Sequence, residues 1–489
     1  MEQEAHIRAI VARFSFNFSR HALEKALKQY PFEFCAHVTS ADNLRPFDSL
    51  VPENQELFHS GEVRSAYYAG VDFNEIPPLD EEFILQMSEC ESVFMAILMR
   101  LEWKKSIPYK MRRMWYLRHL QFWDHYIRIH KINFFLSAWV PHEIPDIIIY
   151  YLCKYYKIPV VYFNTTEIRD ISFVEHNIRE SAKQIETRYQ EILQQKNPER
   201  PLHEPLIAYE KALLHPEGKK PDVEEFPLGT YWTHLTSLVW KRPARFLKYG
   251  MQYLTPKGWK RAVMAVQRWY SMRRTDAFYA KNAIEPNFDQ PFVYMALHFQ
   301  PEATTVPMGG VFADQILAAR LLNATLPDTV LIYVKEHPYR SSWLSRSIPY
   351  YKEFLELKKV RFIPKNTNTF ALREHCKAVA TVTGSVGFEA LFREKPVFLF
   401  GSRFYQFAQG VYPVRSKEEC KEAVHQIFEE NRVPTPKSTH LYLQAMEDTC
   451  VHAVLDPWSL EVSHMPPEQH SQTMGDAIIV ELEKLFTAP

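Results

Sequence analysis

The stretch AVATVTGSVGFEALFREKPVFLF, residues 378–400, decides the fold. It begins with Ala378–Val382 and ends with Pro396–Phe400, two short apolar runs that are typical of buried strands. Between them, the glycines of TGSVG permit a tight turn, and VGFEALF has the apolar spacing of a helix. A strand, a helix and a second strand in this order predict a βαβ unit, the building block of a helix-covered parallel sheet.

The same alternation continues on both sides of this unit. Upstream, we predict strands at Phe292–Ala296, Val330–Val334 and Val360–Ile363, with helical patterns between them. Near the N-terminus, the apolar runs Ile132–Ser137 and Ile158–Phe163 flank another helical pattern. The sequence therefore predicts an α/β protein with two Rossmann-like, doubly wound domains.

Composition divides the 489 residues into four segments. We predict an N-terminal Rossmann-like domain over 1–168 and a second one over 289–432. The segment 169–288 between them reads as a helical insertion, because clear strand patterns are missing there. No acidic residue occurs from 227 to 275, and this part is rich in basic and aromatic residues. We expect the remaining residues, 433–489, to form helices that pack back across the domains.

Charge and cysteine content exclude several classes of protein. The 58 basic residues balance the 58 acidic ones, whereas a general nucleic-acid binder is normally basic. Six scattered cysteines without a CxxC pair signal neither a zinc site nor a disulfide framework. The N-terminus lacks the pattern of a signal peptide, and no apolar run reaches the ~18 residues of a membrane span. We therefore expect a cytoplasmic protein.

Polar side chains follow four strands of the second domain. His298 and Gln300 follow the first strand, KEHP (335–338) the second, TGS (383–385) the fourth, and GSRFY (401–405) the fifth. Because ligands of open parallel sheets bind beyond the carboxyl ends of the strands, these loops predict one binding cleft. The turn at Gly384 and Ser385 suits a phosphate, and Glu389 one turn later suits ribose hydroxyls. An ordinary tight turn with a serine cap stays open as the alternative.

Taken in order, QPE (300–302), KEHP, SRS (345–347), TGSVGFEALFREKPVFLFG (383–401) and FY (404–405) resemble the bacterial capsule polysaccharide synthesis family, which includes Kdo transferases. The resemblance is dense over 291–412 and general over 130–165. It implies the GT-B fold, in which two Rossmann-like domains face a cleft, and a nucleotide-sugar donor such as CMP-Kdo. The residues that these motifs assign to the donor are Gln300, Lys335, His337, Ser347, Thr383, Gly384, Ser385, Glu389 and Tyr405.

The catalytic residue is harder to assign. An inverting transfer needs a general base, which we expect from the first domain, on the acceptor side. His142 and Glu143 follow the strand Ile132–Ser137 and are the candidates, although His142 also fits a cap or an interface residue. Glu302 is a candidate for orienting a substrate hydroxyl. A retaining mechanism would not require a dedicated base. No DxD-like pair ends a strand, so we expect neither an essential metal nor a cofactor.

The basic aromatic segment predicts a partner. Cations interleaved with aromatic rings suit an anionic membrane surface, where a lipid-linked acceptor would lie. A solvated helical insertion is an equal alternative, and stacking on single-stranded nucleic acid is a weaker one. The residues assigned to membrane or acceptor are Lys241, Arg242, Arg245, Lys248, Lys260 and Arg261.

Together these features predict a glycosyltransferase at the inner surface of the membrane. It would transfer a nucleotide-activated sugar to a glycan or glycolipid acceptor and so build a surface or capsular polysaccharide. Two alternatives stay open: a sugar-nucleotide 2-epimerase, which needs no acceptor, and a non-catalytic subunit of a polysaccharide assembly complex.

Overall fold

The computed structural model describes residues 6–40, 45–102, 106–214, 255–298, 304–337 and 346–487. Within these ranges the chain forms two six-stranded sheets. The first sheet has the order β3-β2-β1-β4-β5-β6 and is parallel except for β6, which runs antiparallel to β5. Its strands are β1 (Arg8–Ala12), β2 (Phe34–Thr39), β3 (Gln55–His59), β4 (Phe134–Ser137), β5 (Val160–Thr165) and β6 (Ser172–Glu175).

Helices connect the strands of the first sheet and cover both of its faces. Side chains of β1 alternate between two apolar cores, with Ile10 on one side of the sheet and Val11 on the other. This alternation is what a strand buried on both faces requires. The helices are α1 (Asn17–Gln29), α2 (Ser60–Val63), α3 (Glu81–Gln86), α4 (Ser88–Leu98), α5 (Tyr109–Ile129) and α6 (Asp146–Tyr155).

The second sheet is entirely parallel and has the order β12-β11-β10-β7-β8-β9. Along β7, Phe292 and Tyr294 pack into one core while Val293 and Met295 pack into the other. Its strands are β7 (Phe292–Ala296), β8 (Leu331–Lys335), β9 (Val360–Phe362), β10 (Ala378–Thr381), β11 (Val397–Leu399) and β12 (Val411–Pro413).

Further helices cover this sheet and join the two halves of the molecule. α15 packs against α7, and α17 packs against α1 of the first sheet. The helices are α7 (Lys183–Leu193), α8 (Leu206–Leu214), α9 (Pro256–Asn282), α10 (Gln315–Thr325), α11 (Ile348–Leu355), α12 (Thr369–His375), α13 (Ser385–Leu391), α14 (Lys417–Val424), α15 (Pro436–Thr449), α16 (Pro457–Glu461) and α17 (Pro467–Phe486). Two Rossmann-like, doubly wound domains are therefore confirmed, which is the fold class that the sequence predicts.

Three strands were not predicted. β3 lies within a stretch that reads as a polar loop, and β6 lies within 169–288, which reads as helical. Both are edge strands of the first sheet, and β12 is an edge strand of the second. Edge strands need less apolar surface, so they lack the continuous apolar run that marks a central strand.

The helix after β4 begins later than the sequence pattern indicates. We predicted a helix from residue 140, whereas α6 begins at Asp146. Pro145 cannot donate a helical hydrogen bond and holds the residue before it out of the helical region. Residues 138–145 therefore form a loop at the carboxyl end of β4, and this loop carries His142 and Glu143.

Candidate functional site

The strand order of the second sheet reverses between β7 and β10, where open α/β sheets bind ligands. His298 follows β7 and lies at this reversal of strand order, where it contacts the end of β10. Its Nε2 lies 3.0 Å from the Thr381 Oγ1 and accepts hydrogen bonds from the backbone N–H groups of Val382, at 3.0 Å, and Thr383, at 3.2 Å. One imidazole nitrogen thus holds together the two strand ends that form the crevice.

These contacts fix the protonation of His298. A nitrogen that accepts from N–H groups carries no proton, so the proton of the neutral ring is on Nδ1. Burial, with the nearby cations Arg346 and Arg403, lowers the pKa of His298 to about 3. No residue in the described ranges hydrogen-bonds to Nδ1, so the ring holds a fixed N–H donor at the crevice. The donor-binding set predicted from the motifs left His298 out.

The TGS turn packs directly against this histidine. The Gly384 N–H donates to the Thr381 Oγ1 at 3.0 Å, and a Cβ at Gly384 would lie 2.9 Å from the Cε1 of His298. A larger residue would push the turn away from His298. Glycine is therefore needed here because of the close approach of the ring.

Tyr405 supports the turn from beneath. It is fully buried, and its hydroxyl donates to the carbonyl oxygen of Gly384 at 2.5 Å. The prediction that Tyr405 contacts the donor is therefore wrong: no face of the ring is open to a ligand, and Tyr405 is a positioning residue.

Glu389 is engaged inside the protein. Its Oε1 accepts from the Ser385 hydroxyl at 2.8 Å, and its Oε2 forms an ion pair with Arg373, in which both side chains are about 5% exposed. This corrects the expectation that Glu389 binds ribose hydroxyls, because both carboxylate oxygens already have protein donors. Glu389 instead orients the Ser385 hydroxyl.

The KEHP loop contributes one enclosed cation and one half-buried ring. The Lys335 Nζ donates to the Thr369 Oγ1 at 3.0 Å, and burial lowers the pKa of this lysine. His337 is half-buried, and its backbone N–H donates to the Glu336 carboxylate at 2.9 Å. Lys335 thus lies within the domain, and the assignment of His337 to the donor stays a prediction.

The arginine of the SRS motif, Arg346, contacts the loops of the site. Arg346 is buried, forms an ion pair with Glu336 and donates to the backbone carbonyl of His298 at 2.5 Å. Ser347 is exposed and caps α11 by accepting from the Tyr350 N–H at 3.4 Å. Arg346 is thus the residue of this motif that links the loops, and the assignment of Ser347 to the donor stays a prediction.

Several predicted residues lie outside the described ranges: Gln300, Glu302, Lys241, Arg242, Arg245 and Lys248. Lys260 and Arg261 belong to α9. The assignments of these eight residues stay predictions.

The first domain presents His142 in a comparable way. The strand order of its sheet reverses between β1 and β4, and His142 lies in the loop after β4. Its Nδ1 is 2.6 Å from the backbone carbonyl oxygen of Val140, so Nδ1 carries the proton and donates it. The Nε2 lone pair is therefore available, and no described residue hydrogen-bonds to it.

Neighbouring groups hold this histidine neutral and in place. Burial and the cation of Arg100 lower the pKa of His142 to about 4. Arg100 also donates to the backbone carbonyls of His142, at 2.5 Å, and of Val306, at 2.6 Å. The same guanidinium thus connects the His142 loop to the second domain.

Glu143 is held as an ion. Burial would raise the pKa of Glu143, but Arg13 and Arg64 outweigh it and lower the value to about 2. Arg64 donates to its carboxylate at 2.7 Å, and Arg13 lies at 3.4 Å. A carboxylate with so low a pKa is a weak base, so of the two predicted catalytic residues His142 is the better suited to proton transfer.

The two domains enclose a cleft of about 430 Å³. Residues after β1, β4 and β5 form one wall, and Thr304, Met308 and Arg403 of the second domain form the other. Arg403 donates to the Glu167 carboxylate at 2.6 Å across the two domains. This volume is within the range of small-molecule sites. Further lining residues are Arg13, Trp139, Val140, His142, Glu143, Phe163, Asn164, Thr165, Thr166, Asp456, Pro457, Trp458 and Ser459.

Two further features of the described residues concern metal binding and membrane spans. Within the described ranges, no three His, Cys, Asp or Glu side chains come together as a metal site would require. The expectation of a metal-independent reaction stays a prediction. Of the helices that the structure describes, none is long and apolar enough to cross a membrane.

One known family matches part of the chain. The model of the capsule polysaccharide biosynthesis protein family matches residues 309–430. This match supports the resemblance that the sequence motifs indicate. The capsule-family segment, about a quarter of the chain, contains the KEHP loop, the TGS turn and Arg403, and it ends before α15. Among curated proteins, a sequence comparison finds no match.

Comparison with solved structures gives distant matches. The UDP-GlcNAc 2-epimerase of Methanocaldococcus jannaschii is 10% identical, with 89% of this chain and 97% of that chain covered and a TM-score of 0.26. The beta Kdo 2,7 transferase KpsC of Thermosulfurimonas dismutans is 11% identical, with 76% and 91% covered and a TM-score of 0.28. Its beta Kdo 2,4 transferase is 13% identical, with 64% and 79% covered and a TM-score of 0.29. Such low TM-scores establish no functional relationship, and the fold rests on the two strand orders.

Proposed function

We propose that this protein is a glycosyltransferase of capsule polysaccharide synthesis that moves a sugar from a nucleotide donor to a glycan or glycolipid acceptor. One observation carries the proposal: loops of both domains line one cleft, with His142 in its wall, and the loop after β7 of the second domain holds another neutral histidine of defined tautomer, His298. His298 offers a proton to a ligand, and His142 offers a lone pair. A donor-binding wall opposite a basic group is what transfer to a hydroxyl requires.

The second domain is the proposed donor side. The Nδ1–H of His298, the half-buried ring of His337 and the N–H groups at the start of α13 are the proposed donors to phosphate oxygens. Ser385, held by Glu389, lies at the same turn. The donor that we propose to test first is CMP-Kdo, because the motifs over 291–412 resemble a family that includes Kdo transferases.

The first domain is the proposed acceptor side. His142 Nε2 takes the proton of the acceptor hydroxyl as its oxygen bonds to the anomeric carbon of the donor. The bond from that carbon to the nucleotide phosphate breaks, and the nucleotide leaves with its electron pair. Glu143, ionised beside His142, stabilises the imidazolium that forms. A positioned general base contributes about 10²- to 10⁴-fold to the rate.

Transfer assays with His142→Gln test this function. With CMP-Kdo and a glycolipid acceptor, we expect kcat to fall about 10²-fold or more, while the donor Kd in calorimetry is unchanged. His21→Gln, on the exposed face of α1, is the matched control and should behave as wild type. An unchanged kcat in the His142 variant would exclude His142 as the base.

Donor calorimetry and product analysis separate the alternatives. Ser385→Ala and His337→Ala should each weaken donor binding, and unchanged affinity in both would refute the donor site. Epimerised UDP-N-acetylhexosamine formed without an acceptor would instead indicate a 2-epimerase. Donor binding without turnover under every acceptor condition would indicate a non-catalytic subunit.

We further propose that α9 binds an anionic membrane surface. Trp259, Val263, Val266 and Tyr270 are 41–65% exposed and recur at helical spacing on one face. Arg273 and Arg274 extend this face; they lie over the Trp269 and Tyr270 rings, at 5.3 and 5.9 Å from the ring centroids. Exposed aromatics beside cations match the interface of an anionic bilayer.

Liposome co-sedimentation tests this surface. Wild-type protein should bind vesicles that contain phosphatidylglycerol and leave pure phosphatidylcholine vesicles unbound. Charge reversal at Arg273 and Arg274 should reduce binding. Equal binding to both kinds of vesicle, or none to either, would contradict the proposal.

A further inference from the structure

Three polar atoms in the wall of the cleft are buried without partners. The Asn164 Nδ2, the Arg403 Nε and the Asp456 Oδ2 have no hydrogen-bond partner among the described residues. Asn164 is 3% and Arg403 6% exposed, and all three residues line the cleft. Buried polar groups are normally paired, and unpaired ones in a cleft wall indicate where a ligand supplies the partner.

Two indoles lie beside these atoms. Trp458 is 67% exposed although it lines the cleft, and Trp139 is half-buried. A large ring left open at a cleft offers a face on which an apolar surface can stack. The C–H faces of a sugar ring are such a surface, and the hydroxyls at its edge match donors such as Asn164 and acceptors such as Asp456.

The two carboxylate oxygens of Asp456 have different surroundings. Its Oδ1 caps α16 by accepting from the Ser459 N–H at 2.8 Å. The cap fixes the carboxylate and leaves Oδ2 as the second acceptor. The same short helix carries Trp458, so one element positions both the stacking surface and a hydroxyl acceptor.

The described charges around the cleft balance. Among the side chains that the structure describes there, four arginines face four carboxylates, so these groups present no net charge that would select an anionic group. The arginines are Arg13, Arg64, Arg100 and Arg403, and the carboxylates are Glu143, Asp146, Glu167 and Asp456. Recognition here therefore depends on hydroxyl groups and ring faces.

We infer that Trp139, Trp458, Asn164, Asp456 and Arg403 form the subsite for the acceptor's terminal sugar, an uncharged polyhydroxylated ring stacked on the indoles. This inference rests on the proposed function, because it assigns the acceptor side of the same cleft. The subsite depends on residues 456–459, which lie outside the capsule-family segment. Acceptor choice is thus set by a part of the chain other than the one that binds the donor.

Saturation-transfer NMR and kinetics on the full chain test this subsite. The probes are methyl β-D-glucoside, methyl β-D-galactoside and methyl β-D-N-acetylglucosaminide, each titrated into wild type, Trp458→Ala and Asp456→Ser. Serine keeps the helix cap and removes the second oxygen. Tyr109→Ala, 67% exposed at the start of α5, is the matched control for loss of an exposed aromatic ring.

We expect at least one glycoside to bind wild type, with affinity about tenfold weaker in both cleft variants and unchanged in the control. In transfer assays, the acceptor KM should rise while the donor Kd stays constant. High salt should leave glycoside binding unchanged, because no net charge is involved.

Two results would overturn the subsite. One is the absence of glycoside binding to wild type, and the other is equal binding by wild type and both cleft variants. Glycoside binding that needs Trp458, without any sugar transfer, would refute the proposed function and leave the subsite standing.

Discussion

Acid should destabilise the second domain through His298, and this can be measured. The perturbation is a fall in pH, compared between wild type and His298→Gln. The glutamine side chain is long enough for its carbonyl oxygen to replace the Nε2 and accept from a backbone N–H of Val382 or Thr383, but it does not titrate. Because the other buried histidines are common to both proteins, the difference between them isolates His298.

The magnitude follows from the two pKa values. In the folded protein the pKa of His298 is lowered to about 3 by burial, and in the unfolded chain it is ~6.5. The unfolded state therefore binds the proton first as the pH falls. The stability that the neutral ring contributes is complete above pH ~6.5 and is lost by ~1.4 kcal/mol per pH unit below it. At pH 5 the loss is about 2 kcal/mol.

Hydrogen exchange of a peptide that covers 378–391 is the assay, because this peptide contains β10 and α13. After correction for the intrinsic rates, the free energy of opening should fall with acid about 2 kcal/mol more in wild type than in His298→Gln between about pH 7 and 5. Equal acid sensitivity in both proteins would refute the conclusion that the Nε2 of His298 accepts hydrogen bonds in its neutral form.

Three other perturbations test the site's framework. Gly401→Ala should cost about 1–3 kcal/mol, because its Cβ would lie 2.4 Å from the Thr383 Cγ2; thermal unfolding measures this. Arg373→Met should cost about 3–5 kcal/mol by leaving Glu389 buried without its cation, and adding Glu389→Gln should restore part of the stability in urea unfolding. Burial raises the pKa of Glu175 to about 8, so the stability of wild type relative to Glu175→Gln should fall between pH ~4.5 and 8, which urea unfolding of both proteins measures.

The central strands could be predicted because burial on both faces imposes an apolar run. Phe292–Ala296 was predicted with the bounds that the structure has, and Val360–Ile363 was off by one residue. The edge strands β3, β6 and β12 were missed because one side of an edge strand needs no partner strand and little apolar surface. Apolar patterns in the sequence thus predict fully buried strands, and they fail for strands that are only partly buried.

The candidate site was predictable where one loop supplies it and not where distant segments meet. The polar loops after β8 and β10 were identified from their residues alone. Arg346, Arg373 and Arg403 were missed because an arginine's role depends on which carboxylate the fold brings to it. Asn164 and Trp458 lie almost 300 residues apart, and only the tertiary structure shows that they line one cleft.

A crystal structure with CMP-Kdo tests the central claim, that one cleft holds the donor on one wall and the base on the other. The account predicts the nucleotide phosphate at the Gly384–Ser385 turn, within hydrogen-bonding distance of the His298 Nδ1. It also predicts that the sugar faces His142, with room between them for an acceptor hydroxyl. A nucleotide bound instead against the Asn164 and Trp458 wall, or outside the cleft, would contradict the account.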